Sequence, residues 1–218
     1  MQATVESLTP EQTKAMILYI GEKVIEAKPT LTEIDSAIGD GDHGIGMETG
    51  FNKATENLLK LDPLTIQEVF KTTGMSMISS MGGASGVIFG TLFTGGLKTM
   101  ADTNELNTAT LSDFFQQSLL AIQTRGKASV GDKTMIDALA PAVEAFKQGA
   151  AEGLPLYEVL QRVEAASLQG VEDTKELTAN FGRAKSLGKR AIGHQDAGAT
   201  TVWIIFRSMK EWIELVST

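Results

Sequence analysis

Residues 33–46 read Glu-Ile-Asp-Ser-Ala-Ile-Gly-Asp-Gly-Asp-His-Gly-Ile-Gly, which sets three carboxylates, Asp35, Asp40 and Asp42, among glycines and beside one of the two histidines in the chain. Mg²⁺ is a hard cation held by one or two carboxylates plus substrate phosphates, so a short aspartate cluster next to accessible backbone suits a metal and phosphate site. Zinc is a poor fit, because the chain has no cysteine and no paired histidines. The glycines let the backbone approach a ligand and adopt positive φ, and the aspartates tolerate turns. A helix beginning near Ile45 would aim its first N–H groups at a bound phosphate. A solvated turn would use the same residues, and at this point the two readings stand side by side. An EF-hand loop fails on spacing: with Asp40 as its first ligand, Phe51 falls where the bidentate glutamate belongs.

Three further segments carry chemistry-bearing residues. Ser79-Ser-Met-Gly-Gly-Ala-Ser-Gly86 has seven small residues in eight positions. That suits a phosphate cradle of N–H groups and hydroxyls, and it also suits close helix packing. Adjacent glycines are poor helix formers, which favours the loop. Arg125-Gly-Lys-Ala-Ser-Val-Gly-Asp-Lys-Thr-Met-Ile-Asp137 combines three cations with two glycines. Gly131-Asp-Lys-Thr134 has the ending of a P-loop, but the earlier glycine and a preceding strand are both missing, so Walker A is rejected. Its lysines read individually as solvated turn residues. Finally, Gly182-Arg-Ala-Lys-Ser-Leu-Gly-Lys-Arg190 is basic and leads into Ala191-Ile-Gly-His-Gln-Asp-Ala-Gly198. A guanidinium suits phosphate oxygens, which singles out Arg183, whereas a lone histidine such as His194 is more often structural. Both histidines nevertheless lie in Gly/Asp-rich loops, which argues for one composite site.

The elements that must position these loops are helical. Thr9-Pro-Glu-Gln12, Thr65-Ile-Gln-Glu68 and Thr110-Leu-Ser-Asp113 each read as an N-terminal cap followed by apolar residues at helical spacing. Further helices are expected from Pro155 to about Leu168 and from Val202 through Val216, although Val202–Phe206 alone would pass for a strand. No sustained alternation bounded by hairpin turns is present, so the class is all-α. No linker or repeat divides the 218 residues, and one domain over 1–218 is expected. Glycine-rich loops at intervals between helices are what an antiparallel bundle would gather at one end. A formal charge of −8 argues against a nucleic-acid partner. The lack of cysteine fits a reducing compartment, read here as cytoplasmic. The N-terminus has no signal-peptide pattern, and the apolar runs are far too short to span a membrane.

Together these segments make the chain resemble the nucleotide-binding L subunit of dihydroxyacetone kinase, from about residue 9 to the end. The resemblance is carried by Asp-x-x-x-x-Asp-x-Asp-His-Gly, Gly-Gly-Ala-Ser-Gly, Arg-Gly-Lys-Ala-x-x-Gly-Asp-Lys-Thr-Met and Ile-Gly-His-Gln-Asp-x-Gly-Ala-Thr, in the family's order and spacing. It implies an antiparallel barrel of about eight amphipathic helices capped at one end by ADP or ATP. Asp35, Asp40 and Asp42 would hold two Mg²⁺ ions. His43, Gly44, Ile45, Gly46, Ala84 and Ser85 would line the phosphates, and Gly126, Met135, Arg183, Asp196, Ala197 and Gly198 would complete the pocket, with Arg183 as the catalytic contact. The implied activity is phosphoryl transfer to dihydroxyacetone held on a separate K subunit, with recharging by a phosphotransferase-system phosphocarrier. A transcription-factor partner and a homodimer are also compatible with the family. The resemblance leaves open whether side chains or a lipid-like molecule fill the barrel.

The chain departs from the family pattern at Val87 and Ala197, where proline is usual, and at Ser186 and Lys189, where tyrosine and glutamate are usual. None is an implied metal ligand. The change to Lys189 reverses a charge near the implied mouth of the site and leaves the ketose open, with erythrulose as an alternative. Fatty acid kinases share the fold but use Asp-Gly-Asp-Thr-Gly at the metal loop, where this chain has Asp-Gly-Asp-His-Gly. A purely regulatory, nucleotide-sensing subunit is the alternative from a different class.

Overall fold

The computed structural model describes residues 5–101 and 103–217; residues 1–4, 102 and 218 of the expected domain lie outside the described residues. Nine α-helices follow one another among the described residues: α1 (Pro10–Glu26), α2 (Lys28–Ile38), α3 (His43–Leu59), α4 (Ile66–Ser80), α5 (Gly83–Thr94), α6 (Thr108–Gly126), α7 (Met135–Glu152), α8 (Leu156–Asp173) and α9 (Ala197–Val216). Local chemistry sets most of their starts. Thr9 and Thr65 form capping boxes with Gln12 and Glu68, as the sequence predicts. Asn107, and not Thr110, caps α6: its Oδ1 accepts both the N–H and the hydroxyl of Thr110 at 3.0 Å. The helix therefore begins before the Thr-x-x-Asp pattern that the sequence offers as its opening.

Eight helices close into a ring, α1 against α3, then α4, α5, α6, α7, α8 and α9 in order, and α9 back against α1. The remaining helix, α2, lies outside this ring against α3 and α9. Neighbours run antiparallel. Lys14 Nζ at the start of α1 donates to Leu61 O just beyond α3 at 2.8 Å, and a Cβ on Gly126 at the end of α6 would sit 3.3 Å from Ile88 near the start of α5. The connections 39–42, 81–82, 127–134 and 174–196 thus emerge at one end. At the other lies a minimal antiparallel pairing that the sequence did not announce, β1 (Ser7–Leu8) with β2 (Leu106–Asn107).

Side chains fill the ring. Phe51, Phe70, Phe93, Phe114, Phe115, Phe146 and Phe206 are almost fully buried. They form a continuous chain of ring contacts, from Phe51 against Phe93, through Phe70 and Phe114, to Phe115 against both Phe146 and Phe206. Each buried aromatic contributes roughly 2 kcal/mol of apolar transfer, so this chain is a principal source of stability. It is also the reason the loop end can carry unfavourable charge.

One close approach joins the core to the loops. A Cβ on Gly44 would lie 2.4 Å from Thr32 Oγ1 and 2.5 Å from Lys28 O, so α3 presses directly on the backbone of α2. A side chain there would push the two helices apart. That contact sets the position of Asp35, on α2, relative to Asp42, at the start of α3.

Candidate functional site

Asp35 occupies the last turn of α2, Asp40 the connecting turn and Asp42 the N-cap of α3. One carboxylate oxygen from each lies within 4.8 Å of the others, and no second cluster of this kind is found among the described residues. The turn makes this possible. Gly41 takes φ +76°, which favours glycine, and a Cβ on Gly39 would fall 2.3 Å from Asp35 Oδ1. Asp35 Oδ2 accepts the His43 N–H at 3.2 Å. Arg183 Nε donates to Asp40 Oδ2 at 2.8 Å. Three carboxylates facing one guanidinium leave a surplus of negative charge. Burial, reinforced by repulsion from Asp40 and Asp35, holds the Asp42 carboxyl above the usual carboxylate range. An oxygen-only donor set with one partly exposed and two exposed members fits a hard divalent cation that also takes phosphate oxygens.

His43 is built into the wall behind this cluster. Its Nε2 lies 2.8 Å from Thr201 Oγ1 on α9, and its ring tilts against Phe89 of α5 with centroids 5.7 Å apart. The Thr201 hydroxyl also lies 3.1 Å from Ala197 O, to which it can give its proton while accepting from the Nε2–H tautomer of His43. Burial pushes the imidazole pKa down to about 4 against the opposing pull of Asp35, so the ring is neutral near pH 7.

Four helix N-termini, those of α3, α5, α7 and α9, share this end of the ring. Their unpaired N–H groups and dipoles favour an anion. In α5, Gly83, Ala84 and Ser85 are exposed, and a Cβ on Gly82 or Gly83 would meet only open space. In α7, Asp137 accepts the N–H groups of Thr134 at 2.7 Å and Gly131 at 2.6 Å, winding the preceding loop around one carboxylate. In α9, half-buried Asp196 is the N-cap and accepts the Ala199 N–H at 2.7 Å. Loss of water raises its carboxyl to about 6, against the lowering effect of that hydrogen bond.

The expected residues do gather. His43 links Gly44, Ile45 and Gly46 of the first turn of α3 to α5 and α9. A Cβ on Gly46 would lie 3.7 Å from Met81, just before α5, and one on Gly198 3.4 Å from Met135, with buried Ala197 beside it. Gly126 ends α6 next to Ile88. Among the described residues no hydrogen bond ties Ala84 or Ser85 to the cluster, and their helix carries them to this end. His194 is the exception to the composite site. It is exposed and borders a separate cleft of about 240 Å³ between α2 and residues 175–195, lined also by Glu33, Ile34, Ala37, Lys175, Gly193 and Gln195.

Two expectations change. The small-residue segment 79–86 is not an extended loop: α4 runs through Ser80 and α5 starts at Gly83, so both suggested uses, close packing and exposed N–H groups, are realised across a two-residue break. Lys133 is not a solvated turn residue but is 2% exposed. Three residues escaped the sequence reading: Thr201, Lys133 and Asp137. Of these only Asp137 had a signal, since Thr134-Met-Ile-Asp137 is a capping-box spacing.

The DAK2 domain family matches residues 37–211, a span that leaves out Asp35. The chain is 40% identical, over 87% of its length and 89% of the other's, to the PEP-dependent dihydroxyacetone kinase 1, ADP-binding subunit DhaL, of Listeria innocua. It is 37% identical to the corresponding Escherichia coli subunit, over 93% of this chain and 97% of that one. The dihydroxyacetone kinase of C. freundii in complex with AMP-PNP and Mg²⁺ superposes with a TM-score of 0.72 at 22% identity, covering 97% of this chain and 35% of that one, a likeness of fold alone.

Proposed function

Since the chain belongs to the DAK2 domain family, we propose that it is the nucleotide-carrying subunit of a dihydroxyacetone kinase, with its whole length serving as one nucleotide-binding domain. The observation that carries this reading is the cluster of Asp35, Asp40 and Asp42 set among the N-termini of α3, α5, α7 and α9. The relatives of matching length are ADP-binding subunits of PEP-dependent kinases, which supports the same activity here. Asp35, Asp40 and Asp42 would hold two Mg²⁺ ions, which supply neutralisation of the polyphosphate charge.

The chain's own residues then position and neutralise. N–H groups of the first turns, at Gly44, Ile45, Ala84 and Ser85, donate to phosphate oxygens, while Gly46, whose own N–H is taken by Asp42 O at 2.9 Å, lines them. Arg183 is 78% exposed and, among the described residues, its guanidinium is paired with Asp40, so it is free to exchange that carboxylate for a phosphoryl oxygen. Neutral His43 cannot act as an acid near pH 7, and its place is to brace the first turn of α3 against α9. Gly126, Met135, Asp196, Ala197 and Gly198 frame the remainder of the nucleotide. No nucleophile of the chain is needed, because positioning and charge neutralisation carry phosphoryl transfer. The acceptor is dihydroxyacetone on a separate K subunit, and a phosphotransferase-system phosphocarrier restores the phosphoryl group.

The test is to denature freshly purified protein and identify released nucleotide by chromatography, with and without prior EDTA. Near-stoichiometric ADP, lost after EDTA, is the expected result. An empty protein that binds ATP reversibly with Mg²⁺ would move the chain to the ATP-dependent kinases. Failure to bind either nucleotide would overturn the kinase reading.

A further inference from the structure

We infer that Lys133 is the positioning residue that clasps the neck of the 174–196 segment and so sets Arg183 against the carboxylate cluster. The inference rests on the reading of Arg183 as a phosphate contact, but the clasp itself is a property of the nucleotide-free chain.

The segment leaves α8 at Thr174 and returns to α9 at Asp196. Lys133 Nζ donates to Thr174 O at 2.5 Å and also to His194 O, so one ammonium joins the outgoing and returning strands. Two weaker ties close the same neck, Gly193 N–H to Lys175 O at 2.7 Å and Asp196 N–H to the Thr174 hydroxyl at 3.0 Å. Further out, Asn180 binds the loop between α6 and α7, through its N–H to Asp132 O at 3.2 Å and its amide to Asp132 Oδ1 at 2.7 Å. Beyond Asn180, among the described residues, the segment meets the rest of the protein through Phe181, which packs on the core, through the contact of residues 183–191 with α2, and through the ion pair of Arg183 with Asp40.

Lys133 bears the marks of a group held in place by its surroundings. It has φ 57° without being glycine, a conformation that costs roughly 1–2 kcal/mol and persists where neighbouring contacts over-determine it. It is 2% exposed, and a buried ammonium is costly unless its protons are taken up. Two carbonyl oxygens take two of the three. Asp196 and Asp137 favour the cation against the burial that lowers its pKa. An ammonium already engaged and shut away from water is not placed to meet a phosphate. Its effect on nucleotide therefore runs through the segment it closes. Hydrogen bonds to charged groups are strong enough that their loss corresponds to about 10- to 100-fold in the equilibrium they support.

Hydrogen exchange of the nucleotide-free protein is the first arm. Lys133→Met should raise exchange at residues 176–192 at least about 10-fold while leaving α1 and α4 unchanged. Uniform change across the protein, or none, would overturn the clasp. The second arm is a double-mutant cycle on Mg²⁺–ATP affinity. Lys133→Met and Arg183→Ala should each weaken binding, and the double variant should bind no worse than Arg183→Ala alone. Multiplying losses would overturn the positioning role. If Lys133→Met does not fold, wild-type protein should still show a ¹⁵N ammonium resonance of Lys133 protected from water, and Asn180→Ala should loosen 176–192 alone. An unprotected resonance would overturn the clasp. Were the wild type to bind no nucleotide, the proposed function would fail while exchange and ammonium protection still judged the neck.

Discussion

Asp42→Asn should stabilise the metal-free protein and destabilise the liganded one. Asp42 occupies the N-cap of α3 but makes no capping hydrogen bond, so its carboxylate supports that helix through charge alone. Against this, it lies within 4.8 Å of carboxylate oxygens of both Asp35 and Asp40. Two unit charges at such a distance repel by roughly 1 kcal/mol in water, so the two neighbours together cost roughly 2 kcal/mol. Losing an anion at a helix N-terminus returns about 0.3–1 kcal/mol, and salt screens part of the rest. The net expectation is a gain of about 0.5–1.5 kcal/mol, or a few degrees in Tm for a domain of this size. With Mg²⁺ and ADP at about 100 times Kd the wild type gains about 2.7 kcal/mol, and the variant should forfeit most of that. Calorimetry near pH 7, first in EDTA and then with Mg²⁺ and ADP, reads both signs. A lower Tm in EDTA would show that the carboxylate builds the turn. Equal gains on adding Mg²⁺–ADP would show that it is no ligand, and either result would refute the reasoning.

Asp40→Asn should cut Mg²⁺–nucleotide affinity at least about 100-fold with helical content by circular dichroism unchanged; titration showing wild-type affinity would remove Asp40 from the metal set. Gly44→Ala should cost about 1–3 kcal/mol in urea unfolding, because its Cβ would meet the Lys28 carbonyl at 2.5 Å, and a neutral result would mean that α2 and α3 are not in tight contact. The Asp196 carboxyl, at about 6 when folded against 3.8 as its ordinary value, binds its proton more tightly in the native state. Stability of the metal-free protein should therefore be greatest below about pH 4 for this group and fall as pH rises to about 6, by about 1–3 kcal/mol with allowance for partial exposure. In Asp196→Asn that slope should flatten, and an unchanged slope would assign it to other groups.

What the sequence disclosed was what local chemistry decides. Thr9 and Thr65 were readable as caps because a capping box needs only residues within one helical turn. Asn107 was hidden by the Thr-x-x-Asp pattern just after it. The helix α2 was illegible because only Leu31 and Ile38 of its eleven residues are buried, too few to show a period. For Lys133, the partners that hold it stand 41 and 61 positions away, and nothing adjacent distinguishes it from exposed Lys127 of the same loop. His194, conspicuous beside Asp196, borders a different cleft, and its carbonyl is held by Lys133.

The aspartates form an intermediate case, and they show how the fold and the site depend on each other. Their identity was local and visible, but a turn in isolation would let three like charges spread apart. Here Gly44 presses α3 onto Lys28 and Thr32, fixing the helix that bears Asp35, and the bond between His43 and Thr201 anchors the first turn of α3 to a helix 158 positions away. Those contacts depend on the closed ring, and the ring depends on the buried phenylalanines. The repulsion stored at the loop end is small beside what seven buried aromatics contribute, which is why the cluster can remain assembled before a ligand arrives. On the proposed function, a cation and its phosphates would meet carboxylates and N–H groups already in position, so binding would lose little to reorganisation.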